Sequence, residues 1–251
     1  MARRAPAEPP APTGTASSAR RTPAAGMKIV VTKNGPYLVT GNVPLRLMTI
    51  RPNAAGESWD WEEGRVLPAG RQYELCRCGQ SKTKPFCDRS HERVRFDGTE
   101  TASRRPFARQ AGVLEGPTLV LQDAENLCAF ARFCDPAGKI WALVPQSADP
   151  NARALAIREA MACPSGRLVV RDKATGQEME PNLPPSIGIV EDTALQCSGP
   201  LWVRGGVQIE SEGGAAYEVR NRVTLCRCGA SNNKPFCNGS HANVPFRDGL
   251  V

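Results

Sequence analysis

The chain has 251 residues, 32 Lys and Arg against 25 Asp and Glu, 10 cysteines and only 2 histidines. Apolar runs such as Lys28-Ile-Val-Val and Thr118-Leu-Val-Leu-Gln fall far short of the roughly 18 residues a membrane helix needs, so no membrane span is expected. The net charge of +7 includes Arg3, Arg4, Arg20 and Arg21 against Glu8 in the first 26 residues, and only +4 is scattered over the rest; with 6% aromatic residues there is no basic stripe or stacking platform for nucleic acid.

Residues 1–26 are nearly all Ala, Pro, Arg, Ser, Thr and Gly, too little apolar surface to offset the entropy of ordering, which predicts a disordered tail. An Arg-rich, acid-poor start is compatible with an organellar transit peptide, but five prolines oppose the amphipathic helix such a peptide uses. No secretory leader is visible, so the cysteines are expected in a reducing compartment: the cytoplasm, with an organelle matrix as the alternative. Residues 27–100 hold short strand-like segments and end in Cys76-Arg-Cys-Gly-Gln-Ser-Lys-Thr-Lys-Pro-Phe-Cys-Asp-Arg-Ser-His91. Residues 101–185 form an insert with one clear helix, for which Ser147 and Asp149 offer caps, Pro150 suits the first turn, and Leu155, Ile157, Ala160 and Met161 give an apolar stripe ending at Cys163-Pro164. Residues 186–251 then repeat the first unit and carry Cys226-Arg-Cys-Gly-Ala-Ser-Asn-Asn-Lys-Pro-Phe-Cys-Asn-Gly-Ser-His241. The likeness extends outward, from Asn34-Gly-Pro-Tyr against Ser198-Gly-Pro-Leu to Phe96 against Phe246. A unit of roughly 65–75 residues has a thin core. The expected fold is therefore α+β, rich in strands and loops, with two small modules packed as a pseudo-twofold pair in a monomer.

Both histidines of the chain, and six of its cysteines, fall at matched motif positions: Cys76, Cys78, Cys87 and His91, then Cys226, Cys228, Cys237 and His241. Cys-x-Cys in extended backbone turns two sulfurs to one side, and Cys-x3-His on one helical turn aims two groups at another point. Two such jaws can close on one tetrahedral zinc or across the two irons of a 2Fe-2S cluster.

Each copy resembles the CDGSH iron-sulfur family. Cys76, Cys78, Ser81, Pro85, Cys87, Asp88, Ser90 and His91 match its pattern, as do Cys226, Cys228, Ser231, Pro235, Cys237, Gly239, Ser240 and His241. The resemblance implies a 2Fe-2S cluster in each motif, bound by three Cys and one exposed His, acting in proton-coupled electron transfer or in cluster transfer to an apo-protein acceptor; a structural or interaction role for zinc at the same ligands is the alternative. Arg89 stands where the family has Gly and Asn238 where it has Asp, so the two sites are expected to differ. Lys84 and Lys234, in matched register before the third ligand, either tune the cluster, dock a redox partner or are plain loop lysines. No nucleophile with a neighbouring base is visible and no histidine is spare, so an enzyme is not expected.

Cys128, Cys134 and Cys163-Pro164 resemble the cluster loop of single-cluster bacterial ferredoxins, with Ala131 where a second ligand would stand. This implies a 3Fe-4S centre, or a 4Fe-4S centre with an outside ligand such as Cys197, against the bland reading of small buried core residues.

Overall fold

The computed structural model describes residues 22–244 and 246–250; most of the expected tail, residues 1–21, lies outside the described residues. The end of that segment is packed, which its composition did not suggest. Ala24 donates its N–H to the Gly206 carbonyl at 2.9 Å, and a side chain at Gly41 would overlap the Gly26 carbonyl.

The first repeat supplies β1 (Lys28–Val31), β2 (Tyr37–Thr40), β3 (Leu45–Pro52), β4 (Ser58–Val66) and β5 (Gln72–Leu75), then the motif loop and the one-turn helix α1 (Ser90–Arg93). The insert supplies β6 (Gly112–Glu115), β7 (Leu119–Asp123), α2 (Ile140–Leu143), α3 (Pro150–Ala162), β8 (Leu168–Asp172) and β9 (Glu178–Met179). The second repeat supplies β10 (Ser186–Asp192), β11 (Cys197–Arg204), β12 (Gln208–Ser211), β13 (Arg222–Leu225) and α4 (Ser240–Asn243).

These strands form three sheets, in the orders β12-β1-β2-β5, β13-β11-β10-β3-β4 and β6-β7-β8-β9. The repeats are interlocked rather than merely packed. β12 runs parallel to β1, with Ile209 opposite Ile29, and β3 runs parallel to β10, with Leu47 opposite Ile189. The sheet built on β1 thus takes in β12 of the second repeat, and the sheet built on β10 takes in β3 and β4 of the first, covering backbone that a lone module would leave as an open edge. One apolar cluster draws on both repeats, joining Ile29, Val39, Leu45 and Leu75 to Ile187, Leu201, Val223 and Leu225. β10 and β11 are buried along their whole length, whereas β2 alternates buried and half-buried residues.

The insert has its own core of Leu119, Leu121, Ile140, Val144, Ala156 and Leu168. Helix α3 begins and ends where the sequence predicts: Asp149 accepts the Ala152 N–H at 2.8 Å, Pro150 opens the first turn, and Cys163 follows the last. Ser147 does not cap it; its hydroxyl accepts the Thr118 N–H and its carbonyl the Thr118 hydroxyl, tying the helix to the start of β7. The buried face is alanine-rich, with Ala152, Ala156, Ile157 and Ala160 inside and Leu155 and Met161 half-buried. Trp61 of β4 joins the insert to the second sheet by packing on Phe133 at 4.8 Å and on Trp202 at 4.5 Å. Among the described residues no helix is long and apolar enough to cross a membrane.

Candidate metal centres

Each motif leaves its sheet at the end of a four-residue strand and folds back on it. In the first, Cys76 donates its N–H to the Pro85 carbonyl at 2.8 Å and Cys87 to the Glu74 carbonyl at 3.0 Å. In the second, Cys226 and Cys237 make the same bonds to Pro235 and Thr224 at 2.8 and 2.9 Å. Ser81 and Ser231 donate their hydroxyls across the loops to the Phe86 and Phe236 carbonyls, and both Lys-Pro bonds are cis. Lys84 and Lys234, considered above as tuning or docking groups, donate their Nζ to the Ser81 and Ser231 carbonyls at 2.6 and 2.7 Å. They brace the loops.

The ligand atoms gather as two pairs in each motif. Cys76 and Cys78 place their sulfurs 3.8 Å apart, while Cys87 Sγ lies 3.4 Å from His91 Nδ1. The second copy repeats this at 3.7 and 3.4 Å. Backbone N–H groups of Gln80, Arg89 and Gly239 point at Cys78, Cys87 and Cys237 sulfurs, each at 3.4 Å, as anionic sulfur requires. Within the cysteine pairs the hydrogen bond from Cys78 holds the Cys76 thiol well below its ordinary value, and Cys228 does the same for Cys226. One sulfur of each pair is thus ready to bind metal as thiolate. Among the described residues no three His, Cys, Asp or Glu side chains converge as a single metal ion needs.

The histidines are not exposed, contrary to what the resemblance implies. His91 is 8% and His241 4% exposed, because α1 and α4 turn both rings inward against their own loops. Burial, then the nearby Arg227 charge, pushes His241 down to about 4, so its ring is neutral and free to ligate at ordinary pH. The departures from the family pattern are visible in the backbone. Arg89 sits in the left-handed region at φ 65°, where Gly239 sits at φ 85°, a conformation a side chain adopts at some strain. Asp88 accepts the Lys82 and Ser90 N–H groups, which hold its carboxyl far below the usual range; Asn238 keeps the Ser90-type bond to Ser240 without the charge.

The two loops touch. A side chain at Gly79, φ 76°, would overlap the Cys228 carbonyl, and one at Gly229, φ 82°, would lie 2.6 Å from the Cys78 carbonyl oxygen. Only glycine permits this reciprocal approach. Tyr37 of the first repeat also reaches the second loop, its hydroxyl 2.7 Å from the Cys226 carbonyl.

In the insert, Cys128, Cys134 and Cys163 line one small void together with Phe130, Pro164 and Arg167. Phe130 and Arg132 take φ 56° and 61°, curling the loop between the first two cysteines. Burial pushes the Cys134 thiol up to about 12, an uncharged state in the absence of a metal partner. Ala131 lines the same void, but Cys197 does not: it opens β11, paired with Asp192. The insert leans on the second motif, where a side chain at Gly239 would lie 2.8 Å from Phe130 Cβ and Asn233 donates to the Asn126 carbonyl at 2.7 Å.

Sequence reasoning missed the arginine between the paired cysteines, although Cys-Arg-Cys in both copies was a readable signal. Arg77 and Arg227 are 2% and 3% exposed.

A family model described as iron-binding zinc finger CDGSH type matches residues 34–92 and 198–242, and one described as divergent 4Fe-4S mono-cluster matches residues 114–173. No curated protein and no solved structure matches the chain. The two cysteine-histidine loops fall within the two segments similar to the CDGSH type, and Cys128, Cys134 and Cys163 fall within the segment similar to the divergent 4Fe-4S mono-cluster family.

Proposed function

We propose that the chain binds a 2Fe-2S cluster in each motif, through Cys76, Cys78, Cys87 and His91 and through Cys226, Cys228, Cys237 and His241, and a third iron-sulfur centre at Cys128, Cys134 and Cys163. The observation that carries this reading is the pairing: sulfurs 3.7–3.8 Å apart in one jaw and sulfur to imidazole at 3.4 Å in the other, with no three such groups converging on one point. A tetrahedral zinc would draw all four groups to one ion, whereas a two-iron cluster takes one pair at each iron. Such a cluster supplies one-electron chemistry. The chain's own groups deliver thiolates from the cysteine pairs, N–H donors to their sulfurs, and a neutral imidazole whose protonation competes with ligation.

The role is to carry single electrons to a redox partner or to hand clusters to an apo-protein, not to catalyse a reaction of its own, in the cytoplasm and as a monomer. Three units, residues 27–100, 101–185 and 186–251, compose it. The outer two form a pseudo-twofold pair, a reading supported by the sheet orders β12-β1-β2-β5 and β3-β10-β11-β13, which match when each strand is replaced by its repeat counterpart.

Iron, acid-labile sulfide and zinc quantification of the purified chain, with its visible spectrum, tests the proposal. About two irons and two sulfides per motif support it; a colourless zinc-loaded protein overturns it. Replacing both histidines, His91→Cys and His241→Cys, should lower the reduction potentials and abolish their dependence on pH, because the imidazole ligands are gone. A pH dependence unchanged in the double variant would remove the histidines from the mechanism.

A further inference from the structure

The residue between the paired cysteines points away from their sulfurs, by the alternation of extended backbone, and in both repeats it is a buried arginine whose partners differ. Arg77 donates to two carbonyls, Thr32 and Gly98, leaves Nε without a partner, and has its guanidinium 5.5 Å from the Tyr37 ring and 5.6 Å from the Phe96 ring. No carboxylate forms an ion pair with it among the described residues, and the carboxyl that feels its charge, Asp97, is exposed to solvent. Arg227 donates to the Glu191 carboxylate at 2.8 Å and to the Asp248 carboxylate, and both acids are almost fully buried, their side chains 2% and 0% exposed. The difference has a sequence address: Gly98 and Asp248 both stand seven residues beyond the motif histidine.

A buried guanidinium without a counter-charge is strongly destabilising on its own. Three thiolates on two ferric ions and two sulfides leave a bound cluster with one net negative charge when oxidised and two when reduced. The first site's cluster is therefore the buried counter-charge that Arg77 lacks. The second site's arginine is already balanced by Asp248, and Glu191, whose carboxyl burial pushes up to about 7, adds a further negative charge as it ionises. In surroundings of low dielectric constant a fixed positive charge favours the more negative, reduced state, and added carboxylates oppose it. Charges on the outer side of the loops do not cancel this difference. At the first site Arg89 lies 3.6 Å from Glu74 and 3.7 Å from Glu92 and all three are open to solvent, which screens them, as it does the partly exposed Asp88, whereas Arg77, Arg227, Glu191 and Asp248 are buried; Asn238 and Gly239 of the second site are neutral.

We propose that the pairing of the arginine inside each Cys-Arg-Cys sets an order between the two sites: unpaired Arg77 makes the first the stronger electron acceptor, and doubly paired Arg227 makes the second the weaker. This rests on the 2Fe-2S reading. Arg77 and Arg227 act through the field they impose and touch no reacting atom, so they are positioning residues.

The test is a reductive titration of the intact metal-loaded protein with dithionite, each cluster taking one electron, followed by EPR. His91→Cys and His241→Cys serve to assign each signal to its site. The expected result is two separate one-electron waves, the first site filling at the higher potential. Arg77→Met should bring the first wave down toward the second, Arg77→Lys should leave it above, and Glu191→Gln with Asp248→Asn should raise the second. One shared wave, the reverse order, or equal shifts in Arg77→Lys and Arg77→Met would overturn the proposal, the last because packing rather than charge would then be responsible. Should Arg77→Met fail to fold, an unshifted second wave in Asp248→Asn overturns it alone. Metal analysis separates this failure from that of the underlying reading: zinc, or one iron per motif, refutes the clusters, whereas two loaded clusters of equal potential refute only the order.

Discussion

At the scale of single residues, the least expected group is Glu159. It is 1% exposed on α3, and neither carboxyl oxygen has a hydrogen-bond partner among the described residues. Burial pushes its carboxyl up to about 8, well beyond its ordinary 4.5, so at neutral pH it is held protonated. The folded chain then keeps a proton that the unfolded chain releases once pH passes the ordinary value. Stability contributed by the neutral acid is complete at low pH and declines as pH climbs from about 4.5 to about 8. Glu159→Gln should therefore stabilise the protein by roughly 2–4 kcal/mol at pH 8 and by little at pH 5. Urea unfolding of variant and wild type at both values measures this, and a difference equal at the two would contradict it. Nothing in the sequence marked Glu159, because a glutamate in an amphipathic helix is ordinarily read as solvated. Arg89 shows the opposite: its misfit was legible from the missing glycine, and the backbone does take a positive φ there.

At the scale of elements, the motif loops are the part most fully written in the sequence, since ligand spacing, the loop serine, Lys-Pro and the following turn of helix all recur at one offset. What the spacing could not convey is which surfaces meet. Strand pairing between β1 and β12, or β3 and β10, depends on the tertiary partner and leaves no periodic trace in either strand. The contact of the two loops through Gly79 and Gly229 is of the same kind. It makes a prediction distinguishable from ordinary glycine strain. Gly79→Ala meets both a positive φ and the Cys228 carbonyl, whereas Gly56→Ala meets a positive φ of 81° and open space. The second substitution should cost about 1 kcal/mol; the first should cost roughly 2–4 kcal/mol and should also loosen the cluster of the second motif, whose backbone it pushes. Chemical denaturation with the cluster spectrum as a second probe checks both, and equal losses at the two positions would show that the loops do not bear on one another.

At the scale of the whole molecule, the insert decides whether this is a two-site or a three-site protein. Its helix was legible through Asp149, Pro150 and Cys163, and its core through ordinary apolar patterning, but the placing of its cysteine loop was not, because that placing is made by Phe130 against Gly239, Asn233 against Asn126 and Arg132 against Asp192 at 2.7 Å. All three contacts fall on the second repeat, two of them on its motif loop. A centre held by Cys128, Cys134 and Cys163 would thus share a wall with the second site. Cys134→Ser removes one of these half-buried thiols and changes one atom. If the three cysteines hold a 3Fe-4S or 4Fe-4S centre, the iron content of the chain should fall from about seven or eight to about four. The remaining signal from the second site, but not that from the first, should shift in EPR, since only the second loses a charged neighbour. Iron content unchanged by Cys134→Ser would reduce Cys128, Cys134 and Cys163 to core residues, leaving the insert as a packing partner that Phe130 presses onto the second loop.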